Sequence, residues 1–159
     1  MRWVITIAGI LMLIGVILTL YFYLNPEEDN VIQINLDDEL TTEKVAFESL
    51  SMIPSETNEY VMKVKSQKEG LTALKIAFEE VGDGKLKNFV FVIIEFNGEE
   101  LCNAPMSEMF DGKTVEFESK LYKNKPIEIT VKYYMPDTVG NEAQGTEATF
   151  DLVLSADNR

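Results

Sequence analysis

The segment FVFVIIEFNG, residues 89–98, contains the two signals that decide the fold class. Residues 89–96 are apolar on both faces of an extended chain, a pattern typical of a central β-strand covered on each side. Asn97 and Gly98 follow directly, and an Asn-Gly pair after an apolar run is the strongest short-range signal for a hairpin. The segment therefore predicts a strand in the middle of the core that ends in a tight turn.

Seven further segments alternate apolar and polar residues with the period of two that is typical of half-buried strands. Proline, glycine and Asn/Asp-Gly pairs separate them. About eight strands at spacings of roughly 8–12 residues predict an all-β fold, an antiparallel, jelly-roll-like β-sandwich, rather than parallel strands with crossover helices. The expected helical content of this part is a turn or two in APMSEMF (104–110). The seven segments are VIQINL (31–36), KVAFESL (44–50), EYVMKVKS (59–66), ALKIAFEE (73–80), KTVEFES (113–119), PIEITVKYYM (126–135) and TFDLVLS (149–155).

The first 24 residues predict a membrane segment. Residues 3–24, WVITIAGILMLIGVILTLYFYL, carry no charge, and as a helix they would extend about 33 Å, the thickness of the hydrocarbon layer of a bilayer. The sequence thus divides into an anchor or export signal (1–24), an acidic linker (25–30) and a β-sandwich domain (31–159). Arg2 precedes the apolar run and acidic residues follow it, so we expect a single-pass protein with a cytoplasmic N-terminus and an extracellular domain.

The alternative interpretation of residues 1–24 is a cleaved signal peptide, after which the domain would be secreted. A signal peptide usually has an apolar region of about 7–15 residues and a small-x-small cleavage site. The run here is longer, YFYLNPEED (21–29) contains no such site, and aromatic residues stand at both ends of the run, as in interfacial belts. These features favour a retained anchor, with the membrane as a partner through residues 3–24.

The charge of the chain excludes one class of partner. Without Arg2 the exported part has 27 acidic and 13 basic residues, a net charge of 13 − 27 = −14. Such a surface repels nucleic acids and anionic headgroups. We therefore expect a protein partner and no nucleic acid.

The residues of catalytic sites are scarce. The chain contains no histidine, which removes serine and cysteine triads, the H-E-x-x-H zinc site and imidazole metal ligands. Adjacent carboxylates on a strand point to opposite faces and so cannot share a pocket. Asp137, Asn141 and Glu142 are weak candidates for calcium ligands, because they do not fit the helix-loop-helix calcium pattern. We expect no enzymatic activity and no cofactor.

Cys102 is the single cysteine, so no disulfide can form within the chain. Its lack of a partner predicts a small buried hydrophobic side chain. The alternative is a reactive thiol or one that pairs with a second molecule.

Thirteen small and polar residues, 136–148, separate the last two predicted strands. Connections longer than about 12 residues are uncommon in compact domains, and they are often functional or ordered by their own contacts. Gly140 and Gly145 permit positive φ, and Asn141 and Gln144 can hydrogen-bond to backbone groups. The segment is either such an ordered loop or a plain strand connection.

MPDTVGNEAQGTEATFDLVLSA, residues 135–156, resembles the C-terminal signature of the TasA/camelysin family of exported proteins. In that signature M-P is followed by G-N-x-x-Q-G, then A-x-F and a closing strand that ends on alanine. The resemblance begins near residue 45 and includes the proline turn of SLSMIPSETNEYVMKVKS (49–66) and the hairpin and helical turn of FNGEELCNAPMSEMFDG (96–112). The matching positions in the signature are Gly140, Asn141, Gln144, Gly145, Ala148, Phe150 and Ala156.

The resemblance implies a jelly-roll-like domain outside a Gram-positive-type cell, with a role in the biofilm matrix or the surface layer. It also implies fibres built by donor-strand exchange, with an N-terminal strand completing the sheet of the next subunit. VIQINL occupies that place, so the candidate donor residues are Val31, Ile32, Ile34 and Leu36. The family's F-x-x-G-x-L-x-L opening has no counterpart here, and a retained helix would prevent release, which favours an anchored or terminal subunit. Nothing resembles a zinc site, so protease activity is not implied.

Together these features predict a non-enzymatic, membrane-anchored extracellular protein that acts through strand-edge contacts with a protein partner, either a fibre-forming relative or a second copy of itself. The second hypothesis is an accessory subunit of a membrane or envelope complex. A hydrolase that uses carboxylates or calcium is a distant third.

Overall fold

A computed structural model describes residues 31–36, 41–67, 69–82, 84–123 and 125–158. The expected membrane segment and acidic linker, residues 1–30, lie outside this part of the chain. Among the described residues, no helix has both the length and the apolar character needed to cross a membrane. The strands are β1 Val31–Leu36, β2 Thr41–Leu50, β3 Thr57–Ser66, β4 Gly70–Glu80, β5 Phe91–Phe96, β6 Glu99–Pro105, β7 Val115–Leu121, β8 Ile127–Tyr134 and β9 Ala148–Asn158.

The strands form two sheets that enclose one apolar core, so the predicted all-β sandwich is confirmed. One sheet has the order β1-β3-β8-β5-β6 and the other has the order β2-β9-β4-β7. Aromatic rings meet across the interface, with Tyr133 of β8 5.6 Å from Phe150 of β9 and Phe96 of β5 4.9 Å from Phe117 of β7 (centroid distances). Burying these large rings between two sheets supplies much of the hydrophobic driving force for folding.

The alternation read from the sequence determines which side chains enter the core. On β3, Met62 and Val64 are fully buried, whereas Lys63 and Lys65 lie on the other face and are half-buried. The same period of two places Leu74, Ile76 and Phe78 of β4 in the core. Successive side chains of a strand point to opposite faces, so each segment buries its apolar half.

The expectation of a purely antiparallel fold is wrong for β1. This strand pairs in parallel with β3, in a register that places Gln33 opposite Lys63 and Leu36 opposite Ser66. Every other pairing between the named strands is antiparallel. The direction of a pairing depends on how the chain returns to the sheet, which the alternation within a single strand does not reveal.

The strand predicted at residues 89–96 is shorter than expected, and less of it is buried. β5 starts at Phe91, and residues 85–88 form a 3-10 turn that buries Leu86. Val92 and Ile94 are buried, but Phe91 and Ile93 on the opposite face are only half-buried, so one face of β5 is covered rather than two. The hairpin forms as predicted, and both of its turn residues adopt positive φ, 53° at Asn97 and 79° at Gly98.

The predicted helical turn is present but shorter. Helix α1 comprises Met106–Phe110, and Ala104 and Pro105 belong to β6 instead. Met106 and Met109 are fully buried, while Glu108 is exposed. The helix therefore closes one end of the sandwich with two methionine side chains.

Candidate interaction sites: the closing loop and the sheet edges

The loop before β9 is ordered by its own hydrogen bonds. The Val139 amide donates to the Pro136 carbonyl at 3.2 Å, and a 3-10 turn follows at Asn141–Ala143. The carbonyl of Ala143 then accepts two hydrogen bonds from Thr146, from its amide at 3.1 Å and from its hydroxyl at 2.7 Å. Part of the backbone polarity of this loop is thus satisfied locally.

The second half of the loop packs closely against the segment before β5. A Cβ on Gly84 would overlap the carbonyl oxygen of Glu147 and lie 2.9 Å from the Cα of Ala148. The Leu86 amide donates to that same Glu147 carbonyl at 3.4 Å, and the Val81 amide donates to Thr149 at 2.8 Å. Glycine is therefore required at position 84.

The matching residues of the C-terminal signature divide into two groups. Asn141, Gln144 and Gly145 are exposed, and Gly145 adopts a positive φ of 67° that favours glycine. Ala148 and Phe150 are buried, and the Phe150 ring contacts several core rings, among them those of Tyr133, Phe78 and Phe110. The second group therefore fixes the closing strand, while the first faces solvent.

The weak calcium candidates gain no support from the geometry. Asp137, Asn141 and Glu142 are all exposed, and the Glu142 carboxylate accepts a hydrogen bond from the Gly140 amide at 3.2 Å. Within the described ranges, no three acidic or cysteine side chains lie close enough to share a metal ion. The Glu142 carboxylate therefore stabilises its own turn.

Cys102 lies on β6, half-buried and packed against the core. Burial raises the pKa of its thiol above the ordinary value, and the nearby Lys113 ammonium opposes that shift. A raised pKa keeps the thiol protonated at neutral pH, and a protonated thiol is a poor nucleophile. The surroundings of Cys102 thus resemble those of a packing residue.

The outer faces of the sheets carry cross-strand ion pairs. Lys132 of β8 lies 2.8 Å from Glu95 of β5 and 3.8 Å from Glu59 of β3, and its hydrogen bond to Glu95 raises its pKa. Lys44 of β2 reaches Asp151 and Glu79 at 2.7 Å each. Such pairs contribute little to stability where they are exposed, but they keep the faces hydrophilic.

The sheet edges are the positions where the backbone can pair with another chain. β1 and β6 end the five-stranded sheet, and β2 and β7 end the four-stranded one. An edge strand presents a row of amide and carbonyl groups that can accept an added strand. Because β1 contains the candidate donor positions Val31, Ile32, Ile34 and Leu36, the predicted donor segment coincides with an edge strand in this structure.

Comparison with known proteins gives structural likenesses only. No family model and no curated protein sequence matches the chain. Among solved structures, the CUB1-EGF-CUB2 domains of rat MASP-1 match with 10% identity and a TM-score of 0.42, covering 79% of this chain and 42% of that one. The chain thus spans less than half of the length of that structure.

Two further matches extend over nearly the whole of smaller chains. The pre-peptidase C-terminal domain of a collagenase from Bacillus anthracis is 14% identical with a TM-score of 0.34, covering 81% of this chain and 96% of that one. PliG from Aeromonas hydrophila, a periplasmic inhibitor of g-type lysozyme, is 10% identical with a TM-score of 0.35, covering 80% and 98%. With every TM-score below 0.5, none of these matches assigns a function to the chain.

Proposed function

We propose that this chain is a membrane-anchored, extracellular β-sandwich that acts by pairing a sheet edge with a protein partner, in the manner of TasA-type matrix or surface-layer proteins. Residues 3–24 hold it in the membrane, and the partner is a fibre-forming relative or a second copy. The observation that carries the proposal is the position of β1, a short strand at the edge of the five-stranded sheet.

The sandwich has a complete strand order without β1. Strands β2 to β9 give two sheets of four, β2-β9-β4-β7 and β3-β8-β5-β6, and we infer from this order a jelly roll of two Greek keys. β1 is therefore an addition to the fold. Because both four-stranded sheets are complete without β1, this strand is suited to exchange between subunits.

The contact made by β1 is also one that another copy can reproduce. Its described pairing is a six-residue parallel ladder with β3, and parallel ladders are slightly less stable per residue than antiparallel ones. Backbone hydrogen bonds supply most of the strength of such a ladder, and they are the same whether the strand comes from the same chain or from a neighbour.

Disulfide trapping tests the exchange directly. Gln33 and Lys63 are register partners, and neighbouring strands lie about 4.8 Å apart, within the Cα separation of about 4.4–6.8 Å that a disulfide spans. In the full chain carrying Cys102→Ser, we expect Gln33→Cys with Lys63→Cys to give covalent dimers and longer oligomers after mild oxidation, as seen by non-reducing electrophoresis.

The matched control places the two cysteines on β2 and β9. Thr42 and Ser155 are register partners whose hydroxyl oxygens lie 3.2 Å apart, and both strands belong to the jelly roll itself. Thr42→Cys with Ser155→Cys should cross-link only within one chain. If the β1–β3 pair behaves in the same way, strand exchange is excluded, and the accessory-subunit hypothesis, which needs no exchange, replaces it.

The anchored, extracellular arrangement needs its own test. Proteinase added to intact cells should degrade the domain while residues 1–24 remain with the membrane, because the enzyme cannot cross the bilayer. Mass spectrometry of the mature protein should detect a peptide from residues 3–24. A domain that survives the proteinase contradicts the topology, and a mature chain that begins after Leu24 contradicts the anchor.

A further inference from the structure

Two segments of this acidic protein are rich in lysine. Six of the fourteen basic residues lie in these segments, KVKSQK (63–68) and KLYKNK (120–125). A bridge between Ser66 and Lys123 joins the end of β3 to the connection after β7, so the fold brings the described residues of the two segments together. In a chain with a net charge of −13, such a cluster makes a local attraction for anions.

A cleft opens beside this cluster, between the end of β7 and the β5–β6 hairpin. Its volume is about 410 Å³, and its lining includes Lys120, Tyr122, Lys125, Asn97 and Ser119. These side chains supply ammonium, hydroxyl and amide hydrogen-bond donors. The cleft therefore combines positive charge with several neutral donors.

The exposed ring of Tyr122 holds two of the ammonium groups near each other. The Nζ atom of Lys120 lies 5.2 Å from the ring centroid and that of Lys125 lies 5.6 Å from it. Cations at these distances are attracted by the negative face of the ring. Tyr122 is 42% exposed, a high value for a large aromatic residue, so the ring and both cations are accessible from solvent.

Acidic residues also adjoin the cluster. Glu69 lies 3.7 Å from Lys120, and Glu128, which also lines the cleft, lies 3.8 Å from Lys63. Both carboxylates are more than half exposed, and ion pairs of this length in solvent are weak. A ligand with a higher charge density than a carboxylate would displace them.

We propose that this cleft binds a phosphate-bearing anion. Lysine ammonium groups bind phosphate as point charges, and hydroxyl and amide donors complete the coordination of its oxygens. The apolar part of the lining, Phe96 and Ile127, would contact the carbon portion of a ligand that has one, such as a phospholipid. The same chemistry is presented by a soluble phosphate polymer and by a phospholipid headgroup, and the experiment separates these two sources.

The first arm measures binding of fluorescently labelled inorganic polyphosphate to the full chain in a nonionic detergent at low salt. We expect Lys120→Gln with Lys125→Gln to weaken binding by about tenfold or more and to reduce its dependence on salt, because two phosphate contacts are lost. The matched control is Lys44→Gln with Lys75→Gln, which removes the same charge from the outer face of the four-stranded sheet. It should change binding by less than about twofold, since its lysines lie outside the cleft.

The second arm replaces polyphosphate with mixed micelles that contain phosphatidylglycerol. Binding in the first arm alone identifies a soluble phosphate ligand, and binding in the second alone identifies a lipid headgroup, provided that the Lys120/Lys125 variant abolishes it. Thermal melts of both double variants must show an intact fold. The proposal is overturned if neither probe binds the wild-type chain, or if the control variant weakens binding as much as the cleft variant.

Discussion

Gly84 sets how closely the loop before β9 can approach the segment before β5. A Cβ at this position would overlap the Glu147 carbonyl oxygen, and that oxygen belongs to backbone that cannot rotate away as a side chain would. We expect Gly84→Ala to lower the free energy of unfolding by about 1–3 kcal/mol, the usual cost of overpacking. Urea unfolding of the full chain in detergent measures this change.

Gly70 provides the control for that substitution. A Cβ at Gly70 would meet no atom within 4 Å, so the same chemical change is made without the clash. Gly70→Ala should be neutral or slightly stabilising, because alanine restricts the unfolded chain. Equal losses in the two variants would show that the contact with Glu147 does not limit the loop.

Because of Tyr133, the stability of the domain should fall as the pH rises above about 10. Its side chain is fully buried, and burial, with a smaller contribution from Tyr60, raises the pKa of its phenol well above the ordinary value of about 10. The folded chain therefore keeps a proton that the unfolded chain releases above pH 10. Its contribution to stability is complete below that pH and is lost as the pH rises further.

The substitution Tyr133→Phe tests this linkage because it keeps the ring and removes the ionising group. Between about pH 9 and 11, the free energy of unfolding should fall less steeply with pH in the variant than in the wild-type chain. The two slopes should differ by up to about 1.4 kcal/mol per pH unit, the value for one proton. Urea unfolding at four or five pH values gives both slopes. Identical slopes would mean that Tyr133 does not ionise on unfolding.

At the scale of the elements, strands that bury one face were predictable and those with irregular patterns were not. β3 and β4 follow from their alternation because burial acts on every second residue. β6 was absent from the predicted strands: its pairing with β5 shifts register between Ile94 and Glu95, and EELCNAP does not alternate. Such a bulge changes which residues face the core, so the period of two is lost.

The candidate sites also differ in whether the sequence could reveal them. The G-N-x-x-Q-G segment was visible because all its residues are close in sequence. The cleft beside Tyr122 was not, because its lining comes from two separate parts of the chain, residues 96–97 and 119–128, and only the fold unites them. The concentration of lysine in residues 63–68 and 120–125 was the available signal, and in a chain this acidic it is unusual enough to indicate a site.

At the scale of the whole molecule, the dominant electrostatic feature is the net charge of −13 at pH 7. Like charges destabilise the compact state more than the expanded one. The surface ion pairs around Lys44, Lys75 and Lys132 oppose this repulsion, but solvent screening makes such exposed pairs weak. Long-range repulsion should therefore exceed short-range attraction when salt is low.

This balance predicts that salt stabilises the domain. Raising NaCl from about 10 to 150 mM shortens the screening length from about 30 to 8 Å, which weakens the repulsion between distant charges, so Tm should rise by several degrees. Asp137→Asn removes one exposed charge and should raise Tm at the lower salt concentration but hardly at the higher one. Thermal melts of both chains at the two salt concentrations measure these changes.

A Tm that falls with added salt would show instead that the ion pairs on the outer faces outweigh the repulsion. Lys44→Gln would then be the more damaging substitution at low salt, because it breaks the contacts with Glu79 and Asp151.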